Sequence, residues 1–163
     1  MKTNILILTT LIALLSLLLV GEFIPFQPVA RALSASDPSA PLLLAKEQEV
    51  REFFAKYVER YAKMDIEGFL SLFSLKARQN QKDGLPEIRT IYTDLFDRSR
   101  SLQFSVEDMK IEIYQNAVEA KARYSVSQVL KEGGEKKVWK GDVRWVLAKE
   151  EGKLAIISID YRY

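Results

Sequence analysis

The 163-residue sequence contains no cysteine and no histidine. Without cysteine the chain can form no disulfide, no thiolate nucleophile and no cysteine-based zinc site. Without histidine it lacks the one side chain whose unperturbed pKa lies near neutrality, so acid–base catalysis would need a carboxylate, tyrosine or lysine with a shifted pKa. We therefore expect neither a metal site nor a cofactor.

The charges of the chain nearly cancel. There are 24 Lys and Arg residues against 22 Asp and Glu residues, which gives a formal net charge of +2. A nucleic-acid partner would require a predominantly basic surface that replaces the counterions of the phosphates. The sequence therefore predicts no nucleic-acid binding. With 48% hydrophobic and 28% charged residues, the composition is that of an ordinary globular protein.

The longest hydrophobic run lies close to the amino terminus. Residues 5–20 contain neither a charge nor a proline, and they follow Lys2. As a helix this run would span ~24 Å, less than the ~30 Å hydrocarbon core of a membrane. Ala30-Arg31-Ala32 places small residues at the two positions that a signal peptidase recognises. We expect residues 1–32 to be a signal peptide cleaved after Ala32 or, alternatively, an N-terminal membrane anchor.

Both alternatives for this segment predict export. The protein is expected to be periplasmic or extracellular, or anchored in the inner membrane, and to touch a membrane only through this segment. Residues 33–45 begin with a stretch rich in Ser, Ala and Pro and are predicted to be a flexible tether. Residues 46–163 are predicted to form a single domain.

Three amphipathic helices are predicted at the start of this domain. Hydrophobic residues recur at three- and four-residue spacing from Lys46 to Lys63, which indicates the first helix. Asp65 is predicted to cap a second, short helix. A polar loop over residues 76–84 precedes the third helix, which has Pro86 in its first turn, where the missing N–H costs nothing.

After residue 100 the hydrophobic period changes from helical spacing to two, which is typical of strands. The first strand is expected to be irregular near Glu107-Asp108, and Gly133-Gly134 and Glu151-Gly152 are predicted hairpin turns. The four predicted antiparallel strands are Leu102–Tyr114, Val118–Lys131, Lys137–Lys149 and Leu154–Tyr163. The predicted fold class is α+β, with the N-terminal helices packed in the concave face of a curved antiparallel sheet.

Four features of residues 47–163 belong together: the order of the elements, the aromatic-rich first helix, the helix break at Met64-Asp65-Ile66 and the closing hairpin Trp145-Val146-Leu147 … Gly152-Lys153-Leu154 … Ile157. In these features the domain resembles the nuclear transport factor 2-like superfamily, whose SnoaL-like members share a cystatin-like α+β cone. The resemblance implies a pocket at the open end of the cone, and together with the predicted export segment it suggests an exported bacterial member. The superfamily includes ketosteroid isomerases, polyketide cyclases and catalytically silent proteins, so the pocket residues and not the scaffold decide the activity.

One carboxylate is a candidate for catalysis in such a pocket. Asp65 is assigned to a helix cap, Asp94 and Asp97 to a solvated helix face, and Asp142 to an ion pair with Arg144. Asp160 remains, and its place on the last strand suggests a position toward the mouth of the cone. The alternative function is therefore an isomerase or cyclase that uses Asp160 with a tyrosine.

Aromatic side chains on the inward faces are the main candidates for ligand binding. Core packing is the competing interpretation for each of them. The candidate ligand-binding residues are Tyr57, Tyr61, Tyr92, Phe96, Tyr124 and Trp139, with Gln128 to orient a ligand and Asp160 at the mouth. No residue is assigned as catalytic. We expect a non-catalytic domain that holds an apolar or envelope-derived ligand, or a partner protein on the sheet, with a homodimer through the sheet as a further possibility.

Overall fold

The computed structural model describes residues 42–162. Its elements are α1 (Glu47–Lys63), α2 (Ile66–Leu70), β1 (Phe73–Gln79), α3 (Leu85–Arg98), β2 (Ser99–Ile113), β3 (Val118–Leu130), β4 (Lys136–Glu150) and β5 (Lys153–Arg162). The predicted signal peptide or anchor at residues 1–32, and most of the tether at 33–45, lie outside the described residues. None of the helices within 42–162 is long and apolar enough to cross a membrane.

The five strands form one curved sheet in the order β1-β5-β4-β3-β2. Strands β2 to β5 pair with their neighbours in antiparallel fashion, and the helices pack on one face of this sheet. The α+β fold expected from the sequence is confirmed. All four predicted strands are present, and the largest difference is at β2, which begins at Ser99 rather than at Leu102.

Strand β1 makes the sheet mixed rather than purely antiparallel. It pairs in parallel with β5 at the edge of the sheet, in a segment that the sequence analysis assigned in part to a polar loop. The segment carries Lys76, Arg78 and Gln79, and its buried positions do not alternate strictly with exposed ones. Its pairing with β5 also shifts register between Phe73 and Arg78. These irregularities remove the period-two pattern by which a strand is recognised in a sequence.

Local geometry explains where the helices begin and end. Met64 adopts a left-handed conformation with φ 56°, which ends α1. Asp65 then caps α2, because its Oδ1 accepts a hydrogen bond of 3.0 Å from the backbone N–H of Gly68. Pro86 lies in the first turn of α3. The predictions for Asp65 and Pro86 are therefore confirmed.

The turns and the irregularity of the sheet also agree with the sequence. Asp108 has φ 53°, and the β2–β3 register shifts between Glu107 and Lys110, where an irregularity was expected. Gly152 takes φ 78° in the turn between β4 and β5. Gly141 has a different role, because a Cβ at this position would lie 2.0 Å from the carbonyl oxygen of Arg162. A glycine there allows the end of β5 to approach β4 closely.

The core is an aromatic cluster between α1 and the sheet. Tyr57 and Trp145 are fully buried, and their ring centres lie 5.8 Å apart. Phe54 packs edge-on against Trp145 at 5.0 Å, and Phe104 lies 5.4 Å from Tyr57. Such edge-to-face pairs add directional attraction to the burial of apolar surface. They hold α1 in the concave face.

Candidate functional site

A cavity of about 390 Å³ opens beside this core, between α3 and the ends of β1, β3, β4 and β5. Its volume falls within the range of small-molecule sites. Five of the predicted ligand-binding residues line it: Tyr61, Tyr92, Tyr124, Gln128 and Trp139. Apolar side chains, among them Ile91, Leu95, Val126 and Leu130, complete much of the wall.

Two further predicted residues belong to the core and not to the wall of the cavity. Tyr57 is 0% exposed and Phe96 is 5% exposed, and Phe96 packs against Tyr61 and Phe69. Helical spacing alone does not distinguish these positions from Tyr61 and Tyr92, because all four lie on the inward faces of α1 and α3. Which of them reach the cavity is decided by the packing of the folded chain.

Asp160 does not lie at the mouth of the cone, and that expectation is wrong. Successive residues of β5 point to opposite faces of the sheet. Ile159 is fully buried on the helix side, and Asp160 therefore faces away from the helices. There its Oδ2 lies 3.5 Å from Nη1 of Arg144. Arg144 does not pair with Asp142 as expected but with Asp160 and, at 2.6 Å, with Glu119.

Tyr161 is a site residue that the sequence analysis missed. Its side chain lines the cavity, and its hydroxyl lies 3.1 Å from the hydroxyl of Tyr57 and 2.9 Å from that of Tyr92. The three phenols, which we call the tyrosine trio, join α1, α3 and β5. Tyr92 and Tyr161 line the cavity, and Tyr57 lies behind them in the core. The signal was present in the sequence, because Tyr161 is two residues after the inward-facing Ile159 and so shares its face.

Two members of the tyrosine trio, Tyr57 and Tyr161, are neutral at physiological pH. Burial holds the pKa of Tyr57 well above its usual value. Burial also raises the pKa of Tyr161, and the phenols of Tyr57 and Tyr92 beside it act in the same direction. A hydroxyl of this kind does not serve as a base near neutral pH. It can donate or accept a hydrogen bond at the wall of the cavity.

Two buried glutamines, Gln79 and Gln128, are among the lining residues, and they differ in their partners. Nε2 of Gln128 donates a hydrogen bond of 2.7 Å to Oγ of Ser99, which in turn donates to the carbonyl oxygen of Leu95. Gln128, predicted to orient a ligand, is thus tied to the end of α3. Gln79 at the end of β1 is 6% exposed, and its Oε1 has no hydrogen-bond partner within residues 42–162.

The mouth of the cavity is charged and open to solvent. Asp94 and Arg98, one turn apart on α3, form an ion pair of 2.6 Å with both side chains largely exposed. Lys137 of β4 also lines the mouth. Asp94 was expected on a solvated helix face, and it keeps that exposure while bordering the cavity. It is the one carboxylate among the lining residues that the structure describes.

The fold is the nuclear transport factor 2-like cone that the sequence resemblance implied. A nuclear transport factor 2-like protein from Salmonella enterica serovar Typhimurium is similar with a TM-score of 0.63 and 19% identity, over 71% of this chain and 88% of that one. The protein Aln2 from a Streptomyces species is similar with a TM-score of 0.60 and 21% identity, over 73% and 93%.

A protein of unknown function from Mycobacterium tuberculosis has the same fold, with a TM-score of 0.60 and 17% identity over 71% of this chain and 74% of that one. No family model matches the sequence, and no curated protein matches it. At these identities the likeness establishes the fold alone, so the function must be argued from the cavity.

The two tryptophans provide a test of which side chains are core and which are lining. Trp145 is fully buried, and we expect Trp145→Ala to cost ~3–5 kcal/mol in the free energy of unfolding. Trp139 is only partly buried, so Trp139→Ala should cost no more than about half as much, because less apolar surface returns to water. Urea melts of both variants measure the difference. Equal, large losses would contradict the open cavity.

The tyrosine trio predicts a loss of stability at alkaline pH. An unfolded tyrosine ionises near pH ~10, whereas the folded protein keeps Tyr57 and Tyr161 protonated above that pH. The stabilising contribution is thus complete below pH ~10 and declines as the pH rises further, because the folded state then binds more protons than the unfolded state.

Tyrosinate absorbance and circular dichroism, followed together, test this prediction. Of the seven tyrosines, the exposed ones should ionise first, and the buried ones only as the circular dichroism is lost. Tyr161→Phe should reduce the rise in tyrosinate absorbance that accompanies the loss of circular dichroism. Ionisation of all seven in one step near pH ~10, in a protein that stays folded, would contradict the burial of the trio.

Proposed function

We propose that this protein is an exported, non-catalytic binding protein that holds a small apolar molecule in the cavity of its cone. The observation that carries the proposal is the cavity itself, about 390 Å³ in volume, with largely aromatic and aliphatic walls. A few fixed polar groups, among them Tyr161 and Gln79, interrupt these walls. Concave apolar sites with few convergent polar groups are typical of small-molecule binding.

The arrangement of carboxylates argues against the isomerase or cyclase alternative. A general base must lie within hydrogen-bond reach of the substrate. Asp160 points away from the cavity, and Asp94 is exposed at the mouth in an ion pair with Arg98. The hydroxyl of Tyr161 could hold an oxygen atom of a ligand, yet its raised pKa, like that of Tyr57 behind it, leaves it unable to remove a proton near neutral pH.

The opposite face of the sheet gives less support to a partner protein or a homodimer. Its charged side chains largely satisfy one another, since Arg123 pairs with Asp108 at 2.5 Å and Arg144 pairs with Glu119 at 2.6 Å. Interspersed charges of both signs are typical of a solvated surface. The sequence of residues 1–32 supports the export of the domain, so we propose that the ligand is met outside the cytoplasm.

N-phenylnaphthylamine, a neutral fluorescent compound, is a suitable probe of the proposed binding. We expect a saturable rise in its fluorescence at a ratio of one probe per chain. Leu95→Trp places a larger side chain in the cavity wall and should weaken binding at least ~10-fold. Val138→Trp is the matched control, because Val138 is exposed and does not line the cavity, and it should bind the probe as the unaltered protein does.

Two results would contradict the proposal. The first is the absence of saturable binding by the folded protein. The second is an equal effect of Leu95→Trp and Val138→Trp, which would place the bound probe elsewhere.

A further inference from the structure

The charged side chains that line the cavity all lie at its mouth. Within residues 42–162 they are Asp94, Arg98 and Lys137, and their side chains are 54%, 69% and 45% exposed. The other lining side chains are apolar, aromatic or neutral polar groups. A charged group deep in the cavity would therefore lose its hydration without gaining a counter-ion. A charge on a ligand is accommodated at the mouth, where water is still present.

The three charges at the mouth do not cancel. Asp94 forms an ion pair of 2.6 Å with Arg98, so these two groups balance each other. Lys137 remains, and the carboxylate of Glu135 lies 4.0 Å from its Nζ. Glu135 does not line the cavity, and its side chain is 64% exposed, so water screens this pair and holds it only weakly. Two cations against one carboxylate give the lining a net charge of +1.

The end of α3 and the β3–β4 hairpin are joined where Arg98 and Lys137 border the cavity. The backbone N–H of Lys131 donates to the carbonyl oxygen of Arg98 at 2.9 Å. Lys137 lies opposite Gln128 in the sheet, and the amide of Gln128 reaches Ser99, the residue after Arg98. The two cations are thus held at one end of the cavity by elements that are fixed to each other.

We propose that the cavity selects apolar ligands that carry one anionic group, such as a carboxylate, and that Lys137 recognises this group. This inference rests on the proposed binding function and specifies its ligand class. Lys137 and Trp139, two residues apart on β4, share the face that borders the cavity. The apolar part of the ligand packs against Trp139 while its anionic group lies beside the ammonium of Lys137. A cation is disfavoured, because Asp94 already has Arg98 as its partner.

Three ligands of one ring system test the proposal: 2-naphthoate, its neutral analogue 2-naphthamide, and the cation 2-naphthylmethylammonium. Equilibrium dialysis against the full chain at low ionic strength gives the affinity of each. The naphthoate should bind about threefold more tightly than the amide, since a solvated ion pair contributes modestly, and the cation should bind most weakly. Salt at ~1 M should largely remove these differences, because it screens exposed charges. This comparison does not depend on the folding of a variant.

Two charge-reversal variants identify the residue responsible. Lys137→Glu changes the net charge of the lining from +1 to −1, so it should reverse the preference between naphthoate and the cation while the neutral amide binds as before. Lys140→Glu makes the same change in total charge on the same strand, but Lys140 is exposed and does not line the cavity. It should keep the original order. An order that survives in Lys137→Glu, or that changes equally in both variants, would overturn the proposal.

The same measurements separate this inference from the proposed function. Equal binding of naphthoate and its amide, or tighter binding of the cation, would overturn the selection of anions while leaving the cavity as a binding site. Failure of naphthoate to bind where N-phenylnaphthylamine binds would do the same. Failure of all three compounds to bind, with the N-phenylnaphthylamine result also negative, would overturn the binding function and this inference with it.

Discussion

The packing of Tyr57, a residue of α1, against the sheet is the contact on which the rest of the structure depends. Its ring lies within 6 Å of those of Phe69, Phe104 and Trp145, at 5.0, 5.4 and 5.8 Å. The same side chain places its hydroxyl against Tyr161 at the wall of the cavity. Tyr57 therefore anchors α1 by the burial of its ring. Its hydroxyl marks the boundary between the filled core and the open cone.

The cavity exists because this packing stops before the open end of the sheet. Near α1 the inward positions of β3 and β4 hold Ala120 and Trp145, which are fully buried. Farther along the same strands, Gln128 and the partly buried Trp139 replace such core side chains, and α3 covers only part of them. Side chains with polar groups at these positions are compatible with a wall that contacts solvent or a ligand, and less so with a dry core.

Much of the fold could be predicted from the sequence. Hydrophobic residues recur every 3.6 residues in a helix, and every two in a strand, when one face of that element is buried. The cap at Asp65 and the irregularity at Asp108 also have local causes. Strand β1 could not be found in this way, since Phe73 and Ser74 are both buried and the next two residues, Leu75 and Lys76, are both exposed, which breaks the alternation. The faces on which Tyr161 and Asp160 lie could have been predicted from the alternation of side chains along β5 alone. The unpaired oxygen of Gln79 depends on the turn after β1 and on distant neighbours, which no local pattern encodes.

The most direct test of an open, ligand-binding cavity uses the indole N–H resonances of the two tryptophans. Trp139 lines the cavity, whereas Trp145 is fully buried in the core. During titration with N-phenylnaphthylamine, the Trp139 resonance, assigned from a Trp139→Phe variant, should shift progressively to saturation while the Trp145 resonance moves far less. Saturable binding that leaves Trp139 unmoved, or that shifts both resonances alike, would contradict the account.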